Sequence, residues 1–467
     1  MSELSPPEFT NASPKTAGMI HPAVRNLQSK SSSGQSGKTS ADWLVQADGQ
    51  QEPTRPEHYL FDRPMNRFDG ILRKIVRKRI AAIISPQFEW IEQSGSAASA
   101  SVCVHVHDRN FYRRVLLGGS VGAAESYLAQ EWSTNNLVEL IRMFSRNLTN
   151  ADPLDGNGPW LSSPLSSLFR WSRRNTKSGS RRNIAAHYDL SNAFFELMLD
   201  PTMTYSAGIF PTKSAGMQTA SLTKYDRICQ KLALSEDDHL LEMGTGWGGF
   251  AVYAARNYGC RITTTTISRQ QFDYATKRVA QAGLSDRVTI LLQDYRDLRG
   301  RYDKLVSIEM IEAVGEQYLD RYFRRCSQLL HPAGLMVLQA ITMPDYRYDA
   351  YRKSLDFIQK YIFPGGFLPA YSAITRSLRT QTDLTMNHAE DFGLHYAETL
   401  QHWRDKFWQN IDAIRKLGFD ERFVRMWHYY LCYCEAAFLE RQIGVSQMVL
   451  TKPACQISTI ASLLKSS

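Results

Sequence analysis

The residues with the clearest chemical meaning form Leu240-Leu-Glu-Met-Gly244-Thr-Gly246-Trp-Gly248-Gly249, an apolar run that ends in an acid and a glycine-rich turn. Glycine permits positive φ and lets a ligand touch the backbone. A turn that follows a strand and opens a helix lies at the carboxyl edge of an α/β sheet, where ligands of such folds bind. Glu242, inside the strand end, sets this turn apart from a dinucleotide site, because its carboxylate would repel a pyrophosphate and attract a cationic ligand. A purely structural glycine turn is the plainer alternative, weakened by the strand, turn and helix context.

The elements that would position this turn alternate regularly. Apolar or β-branched runs occur at 239–243, 262–267, 288–292, 304–309 and 334–342, with helix-like spacing over 250–257, 270–282 and 319–330 between them. That alternation predicts an α/β fold with a doubly wound, largely parallel sheet, followed after Thr342 by an aromatic, helical C-terminal cap. Upstream, residues 58–150 predict a small α+β domain with a strand over 101–107 and a helix over 137–144. It opens on a basic amphipathic stretch, Arg73, Lys74, Arg77, Lys78 and Arg79 around Ile75, Val76 and Ile80. Residues 1–57, rich in Ser, Gly, Pro and Gln, predict a disordered tail. Residues 151–182, with basic side chains from Arg170 to Arg182, predict a basic linker, and 183–467 the catalytic domain.

The 467 residues allow two or three domains. With 55 basic against 46 acidic residues the formal charge of +9 is too mild to argue for a nucleic-acid partner, and 43% hydrophobic with 22% charged residues is a globular composition. No apolar run reaches the ~18 residues of a membrane span, and the start lacks the basic and apolar regions of a signal peptide. The seven cysteines are odd in number and scattered, which argues for a reducing, cytoplasmic compartment. They lack the paired spacings of a zinc site, so no metal is expected.

With Glu242 and its three spaced glycines, the turn resembles the first motif of class I S-adenosylmethionine-dependent methyltransferases. That resemblance implies a class I methyltransferase sheet in which Gly244, Gly246 and Gly248 form the cofactor loop and Glu242 meets the cofactor's amino end. The second strand ends without the usual acid for the ribose hydroxyls, so Ser268 or Gln271, with Thr266 beside them, would supply neutral hydrogen bonds. Asp294 and Tyr295 follow the third strand, where Asp294 would reach the adenine amino group, although an acid there is also a common helix N-cap.

A more specific resemblance covers residues 180–452. His187-Tyr-Asp-Leu-Ser-Asn, Asp200-Pro-Thr-Met-Thr-Tyr-Ser206, Thr266-Ile-Ser-Arg-Gln-Gln271, Glu309-Met-Ile-Glu312-Ala-Val-Gly, Tyr361-Ile-Phe-Pro-Gly-Gly-Phe-Leu-Pro369 and Tyr429-Tyr-Leu-Cys-Tyr-Cys-Glu435 occur in one order. Together they resemble the cyclopropane-fatty-acyl-phospholipid synthase and mycolic acid methyltransferase family. Leu116-Leu-Gly-Gly-Ser-Val-Gly with Glu125-Ser-Tyr resembles the small N-terminal domain of its phospholipid-acting members.

The resemblance implies methyl transfer from S-adenosylmethionine to the cis double bond of an unsaturated phospholipid acyl chain. A cyclopropane product stands slightly ahead of a methylene- or methyl-branched one. A silent lipid-binding protein of the same fold is the reading from another class. A methyltransferase for small molecules or nucleic acid is weakened by the absence of Asn-Pro-Pro-Tyr. Tyr205 and Ser206 would touch the cofactor's methionine end. The family's base is a bicarbonate held by a Cys, a Glu, a His, a Tyr and a backbone amide. Here the Glu corresponds to Glu312, the Tyr to Tyr396 and the amide to Ile341, while the Cys position holds Ala207 and the His position Gln339, which could still donate a hydrogen bond. Cys434 matches a family cysteine and reads as packing before catalysis. Tyr346, Tyr348, Tyr351, Phe357, Tyr361, Phe363, Phe367 and Tyr371 offer electron-rich walls for a carbocation, at least half of them as ordinary core. The implied partner is an unsaturated phospholipid, met by peripheral contact of the basic stretches with a membrane. The oligomeric state stays open, a homodimer included.

Overall fold

The computed structural model describes residues 67–83, 88–91, 102–147 and 190–456. The tail over 1–57, the linker over 151–182 and the motif start at His187 fall outside the described residues. The first part of the chain forms α1 (Arg67–Ile83), β1 (Phe88–Ile91), β2 (Val102–Val106), α2 (Asn110–Leu128), β3 (Trp132–Thr134) and α3 (Leu137–Asn147). β2 pairs parallel with β1 and antiparallel with β3. α2 is broken at Gly119 (φ 57°, ψ −135°), a conformation that only a residue without Cβ adopts readily.

The rest of the chain forms α4 (Asn192–Met198), α5 (Met217–Lys231), β4 (His239–Met243), α6 (Gly249–Tyr258), β5 (Arg261–Thr266), α7 (Arg269–Gln281), β6 (Val288–Leu292), β7 (Tyr302–Ile308), α8 (Leu319–Leu329) and β8 (Leu330–Thr342). It continues through α9 (Asp345–Tyr351), a π-helical turn (Ile358–Ile362), α10 (Tyr371–Gln381), β9 (Thr385–Asp391), α11 (Gly393–Gln409), α12 (Ile411–Lys416), α13 (Glu421–Leu439) and β10 (Gly444–Thr451). The seven strands lie in the order β6-β5-β4-β7-β8-β10-β9. The first five are parallel, and β10 runs antiparallel between β8 and β9. The chain starts in the middle at β4, winds out to β6 and crosses back to β7. The carboxyl ends of β4 and β7 therefore flank the crevice where such sheets bind ligands.

The class I methyltransferase sheet expected from the sequence is present, with one correction. The region after Thr342 is not only a helical cap, because β9 and β10 extend the sheet. β10 escaped notice because its buried positions include Ser446 and Gln447, both fully inaccessible, so its apolar pattern is interrupted. β9 alternates exposed and half-buried residues, as an edge strand does.

The small sheet and its helices share one core with the C-terminal helices. Tyr127 packs on Tyr429 with ring centroids 5.5 Å apart. Arg142 donates to Glu440 at 2.7 Å, and Lys360 and Tyr361 both bond to Glu125. Arg425, buried on α13, donates from Nε to the Tyr127 carbonyl at 2.7 Å and from a terminal nitrogen to the Trp132 carbonyl at 3.1 Å, with its guanidinium 3.9 Å from the Tyr127 ring centroid. Arg425→Met deprives two buried carbonyls of a charged donor. It is expected to destabilise the protein by about 2–3 kcal/mol, read from the midpoint of denaturant unfolding.

Candidate active site

The loop after β4 has the geometry its glycines suggested. Gly244 and Thr245 donate to the Thr265 carbonyl at 3.1 and 3.0 Å. Gly246 has φ +51°, and a Cβ built there meets nothing within 4 Å because it would project into the cavity that the loop lines. The cavity thus has room for a ligand laid against the backbone. Gly248 differs: it does not line the cavity, and its missing Cβ leaves space for Ala275 of α7 at 3.1 Å, so it serves helix packing. Gly249 takes the lining position instead, pressed so closely on the Thr202 carbonyl and the Tyr225 hydroxyl that a Cβ would lie 2.6 Å from each.

Glu242, Thr266, Gln271, Asp294 and Tyr295 line the same cavity. Glu242 accepts from Thr264 at 2.6 Å, and burial pushes its carboxyl up to about 8. Thr266 donates to the Gln271 carbonyl oxygen at 3.0 Å, which leaves the Gln271 amide nitrogen as that side chain's donor. Ser268 corrects its expected role, for its hydroxyl accepts from Gln271 N as the N-cap of α7 and does not line the cavity. Asp294 also has a structural task, since both its oxygens bond to Arg296 at 2.8 and 2.6 Å, each side chain 4% exposed.

Tyr205 and Ser206 line the cavity opposite the loop, the Tyr205 hydroxyl 2.9 Å from that of Tyr430. Ser206 Oγ accepts from Lys224 Nζ at 2.7 Å. Lys224, unremarkable in sequence, is fully buried on α5, and desolvation lowers it to about 8 against the pull of Glu309, Asp200 and Glu242. The other cations lining the cavity are Arg296, committed to Asp294, and Arg347, bonded to Gln442. An amino-acid end laid between Glu242 and Lys224 would find an acid for its ammonium, whose charge would favour the ionised form of Glu242, and an ammonium for its carboxylate.

The acid pair departs most from expectation. Two of the groups read as a bicarbonate cradle, Gln339 Nε2 at 2.8 Å and the Tyr396 hydroxyl at 2.7 Å, converge instead on the Glu309 carboxylate, joined there by the Ala207 amide at 2.9 Å. Glu312 does not join them. It accepts from the Ile341 amide at 2.6 Å, and its second oxygen is buried without a hydrogen-bond partner. All four donors are thus taken by the chain's own carboxylates, and the residues present do not fit a bicarbonate. The sequence did contain the signal, two acids three positions apart, but only the fold shows which one turns into the cradle. Glu309 does so from a left-handed backbone (φ 49°), a strained conformation for a side-chain-bearing residue.

The two carboxyls are unlike. Burial and the neighbouring Glu309 charge push Glu312 up to about 8. Burial raises Glu309 too, but Tyr396, Gln339, the Ala207 amide and Lys224 oppose it, so Glu309 is the better anion of the pair. A buried relay fixes the Gln339 amide. Lys231 Nζ donates to Gln447 Oε1 at 2.7 Å, Gln447 Nε2 to Gln339 Oε1 at 3.0 Å, and Gln339 Nε2 is left facing Glu309. Cys434 lines the cavity, and burial pushes its thiol up, holding it protonated. Of the aromatics singled out in the sequence, Tyr351, Phe363 and Phe367 line the cavity, Tyr348 and Phe357 are buried, Tyr361 reaches Glu125 and Tyr346 is exposed. Tyr396, Tyr429, Tyr430 and Tyr433 complete the aromatic wall of a cavity of about 600 Å³.

Lys224→Met is expected to raise the dissociation constant of S-adenosylmethionine about tenfold in calorimetry, the scale of a lost charge-assisted hydrogen bond. Lys224 is charged below about 8 and neutral above. Loss of the Lys224 charge as pH rises through that value weakens binding, while Glu242, raised to about the same value, gains its charge over the same range, so the native and variant pH profiles should differ by the Lys224 step; matching pH profiles would remove Lys224 from the cofactor site.

The family model for mycolic acid cyclopropane synthetase matches residues 175–448. The chain is 42% identical over 348 residues to tuberculostearic acid methyltransferase UfaA1 of Mycobacterium tuberculosis, covering 73% of this chain and 81% of that one. It is 35% identical over 380 residues to cyclopropane-fatty-acyl-phospholipid synthase of Escherichia coli, covering 78% and 92%. Among solved structures, mycolic acid cyclopropane synthase CmaA1 complexed with SAH and CTAB superposes with a TM-score of 0.55 at 30% identity, over 58% of this chain and 98% of that one. With this match over residues 175–448 and these identities to its relatives, the chain belongs to the mycolic acid cyclopropane synthetase family, S-adenosylmethionine-dependent methyltransferases acting on lipid chains.

Proposed function

We propose that the protein methylates the cis double bond of an unsaturated acyl chain carried by a phospholipid, with Glu309 as the base. The observation that carries this reading is the Glu309 carboxylate in the cradle of Ala207 N, Gln339 and Tyr396, inside an apolar, aromatic cavity shared with the glycine loop. When bound, S-adenosylmethionine supplies an electrophilic methyl group, which the double bond accepts while the neighbouring chain carbon becomes positive. Tyr430 and Phe363, whose rings are electron-rich, line the cavity where that charge would be stabilised. The cavity excludes water that would otherwise trap it as an alcohol. Glu309 takes a proton from the added methyl carbon, and the electron pair left behind closes either a ring or, after a hydride shift along the chain, a methylene branch.

Of these products we place the branched one first, reversing the order that the motifs suggested. A carboxylate held by three donors must give up part of their stabilisation to take the proton, which slows deprotonation of the added methyl, lengthens the cation's life and lets the hydride shift compete. The relative that is 42% identical is named a methyltransferase rather than a cyclopropane synthase. The test is methyl-labelled S-adenosylmethionine with vesicles of a cis-monounsaturated phospholipid, and proton resonance of the released fatty acids. Vinylidene protons are expected, ring protons would restore the cyclopropane reading, and no label in any lipid would leave a silent lipid-binding protein. Glu309→Gln should lower turnover by about 10²–10⁴-fold, the usual weight of a general base, with cofactor affinity little changed. The native rate should rise with pH through a Glu309 titration displaced above the ordinary carboxylate range by burial.

Substrate access on this reading uses α1. Ile71 and Ile75 are exposed, with Lys74 and Lys78 exposed on the same helix, a mixed surface suited to anionic lipid at about 1 kcal/mol per basic residue. Among the described residues no helix is long and apolar enough to cross a membrane. Vesicle binding should weaken with salt and strengthen with anionic lipid; insensitivity to both would reject α1 as the docking element.

A further inference from the structure

The cavity does not end at the acid pair. It continues between α13 and the small domain, where Ile80 of α1, Val115 of α2, Trp132 of β3 and Leu140, Ile141 and Phe144 of α3 line it. Tyr429 and Tyr433 of α13 mark the junction: both line the cavity, and the Tyr429 ring packs on Tyr127 of the small domain and on Phe357. One face of α13, from Tyr429 and Tyr430 through Tyr433 and Cys434 to Ala437, thus leads along the cavity, at the spacing of residues stacked on one helix side. The break at Gly119 brings residues 119–121 onto the same wall.

The chemistry of this end is uniform. Among the described small-domain residues lining it, none is charged, and Ser120 and Ser145 are the polar side chains. Ile80, Val115, Trp132 and Leu140 are 5% exposed or less and pack in the shared core, yet each also lines the cavity. Side chains facing a void lose the dispersion contacts that a filled core would give, and an apolar void of this kind stays dry and takes apolar ligands. A small domain gains nothing from such a gap unless something fills it.

We infer that the small domain holds part of the substrate's acyl chain, so that the stretch between this pocket and Glu309 selects which double bond reaches the reacting position. The inference rests on the acyl-lipid reading above and assigns to the small domain a binding role separate from any contact of α1 with a membrane.

The test uses the full chain with Ile141→Trp, which fills the pocket, and Ile141→Ala, which enlarges it. Binding of cis-parinaric acid, followed by its fluorescence, should weaken about tenfold in Ile141→Trp, a loss of about 1.4 kcal/mol. Methyl transfer to vesicle phospholipids should shift from octadecenoyl toward tetradecenoyl chains in Ile141→Trp and the opposite way in Ile141→Ala. Unchanged affinity and unchanged chain ranking in cooperatively unfolding variants would overturn the inference. Should the native protein transfer no methyl group to any lipid, the functional reading fails, and parinaric acid binding alone then decides the pocket. Should Ile141→Trp not fold, the affinity and ranking of Ile141→Ala decide it.

Discussion

An anion inside an apolar cavity must be surrounded by donors or give up its charge, and the centre of this protein is arranged around that constraint at Glu309. Its three donors come from separate parts of the chain: the segment after Ser206, β8 and α11. A fourth influence, the Lys224 charge, comes from α5. Each charge-assisted hydrogen bond is worth about 1.5–3 kcal/mol, enough together to hold the side chain in place and to sustain the left-handed backbone that aims it.

The constraint explains features that would otherwise be odd. Gln447 sits fully buried in a strand that should be apolar, because it passes the orientation set by Lys231 on to Gln339. An amide can face Glu309 with either its oxygen or its nitrogen, and only the nitrogen stabilises the anion. The antiparallel insertion of β10 beside β8 is what puts Gln447 opposite Gln339. Glu312, with one backbone donor and one unpaired oxygen, stays the protonated partner, so two acids close together avoid the repulsion of two charges.

The N-terminal elements α1 to α3 and the seven-stranded sheet with its helices are likewise parts of one arrangement. Arg425, Arg142 and Glu125 join them through bonds at buried or half-buried sites, and the aromatic face of α13 is shared between the acid pair and the small-domain cavity.

The sequence by itself determined the sheet, the glycine loop and the lipid-chain chemistry, because those are carried by local patterns: alternating apolar runs, glycines at fixed offsets, and long motifs in one order. It also marked Tyr396, Gln339, Ile341 and Glu312 as one polar cluster; the structure puts the Ile341 amide on Glu312 and turns Tyr396 and Gln339 to Glu309, an acid to which the sequence reading gave no role. Glu309 meets the Ala207, Gln339 and Tyr396 donors from a left-handed backbone just after β7, which no spacing reveals. Lys224 and Gln447 carry no motif, and they gain meaning only when α5 and β10 bring them from 85 residues before and 138 residues after Glu309. Gly248 and Ser268 kept their places in the motif and lost their contact with the cavity, because a glycine can serve packing and a serine can cap a helix as readily as either can touch a ligand. Tertiary structure decided these points because burial, charge and donor direction are properties of neighbours in space, whereas a sequence orders residues only along the chain.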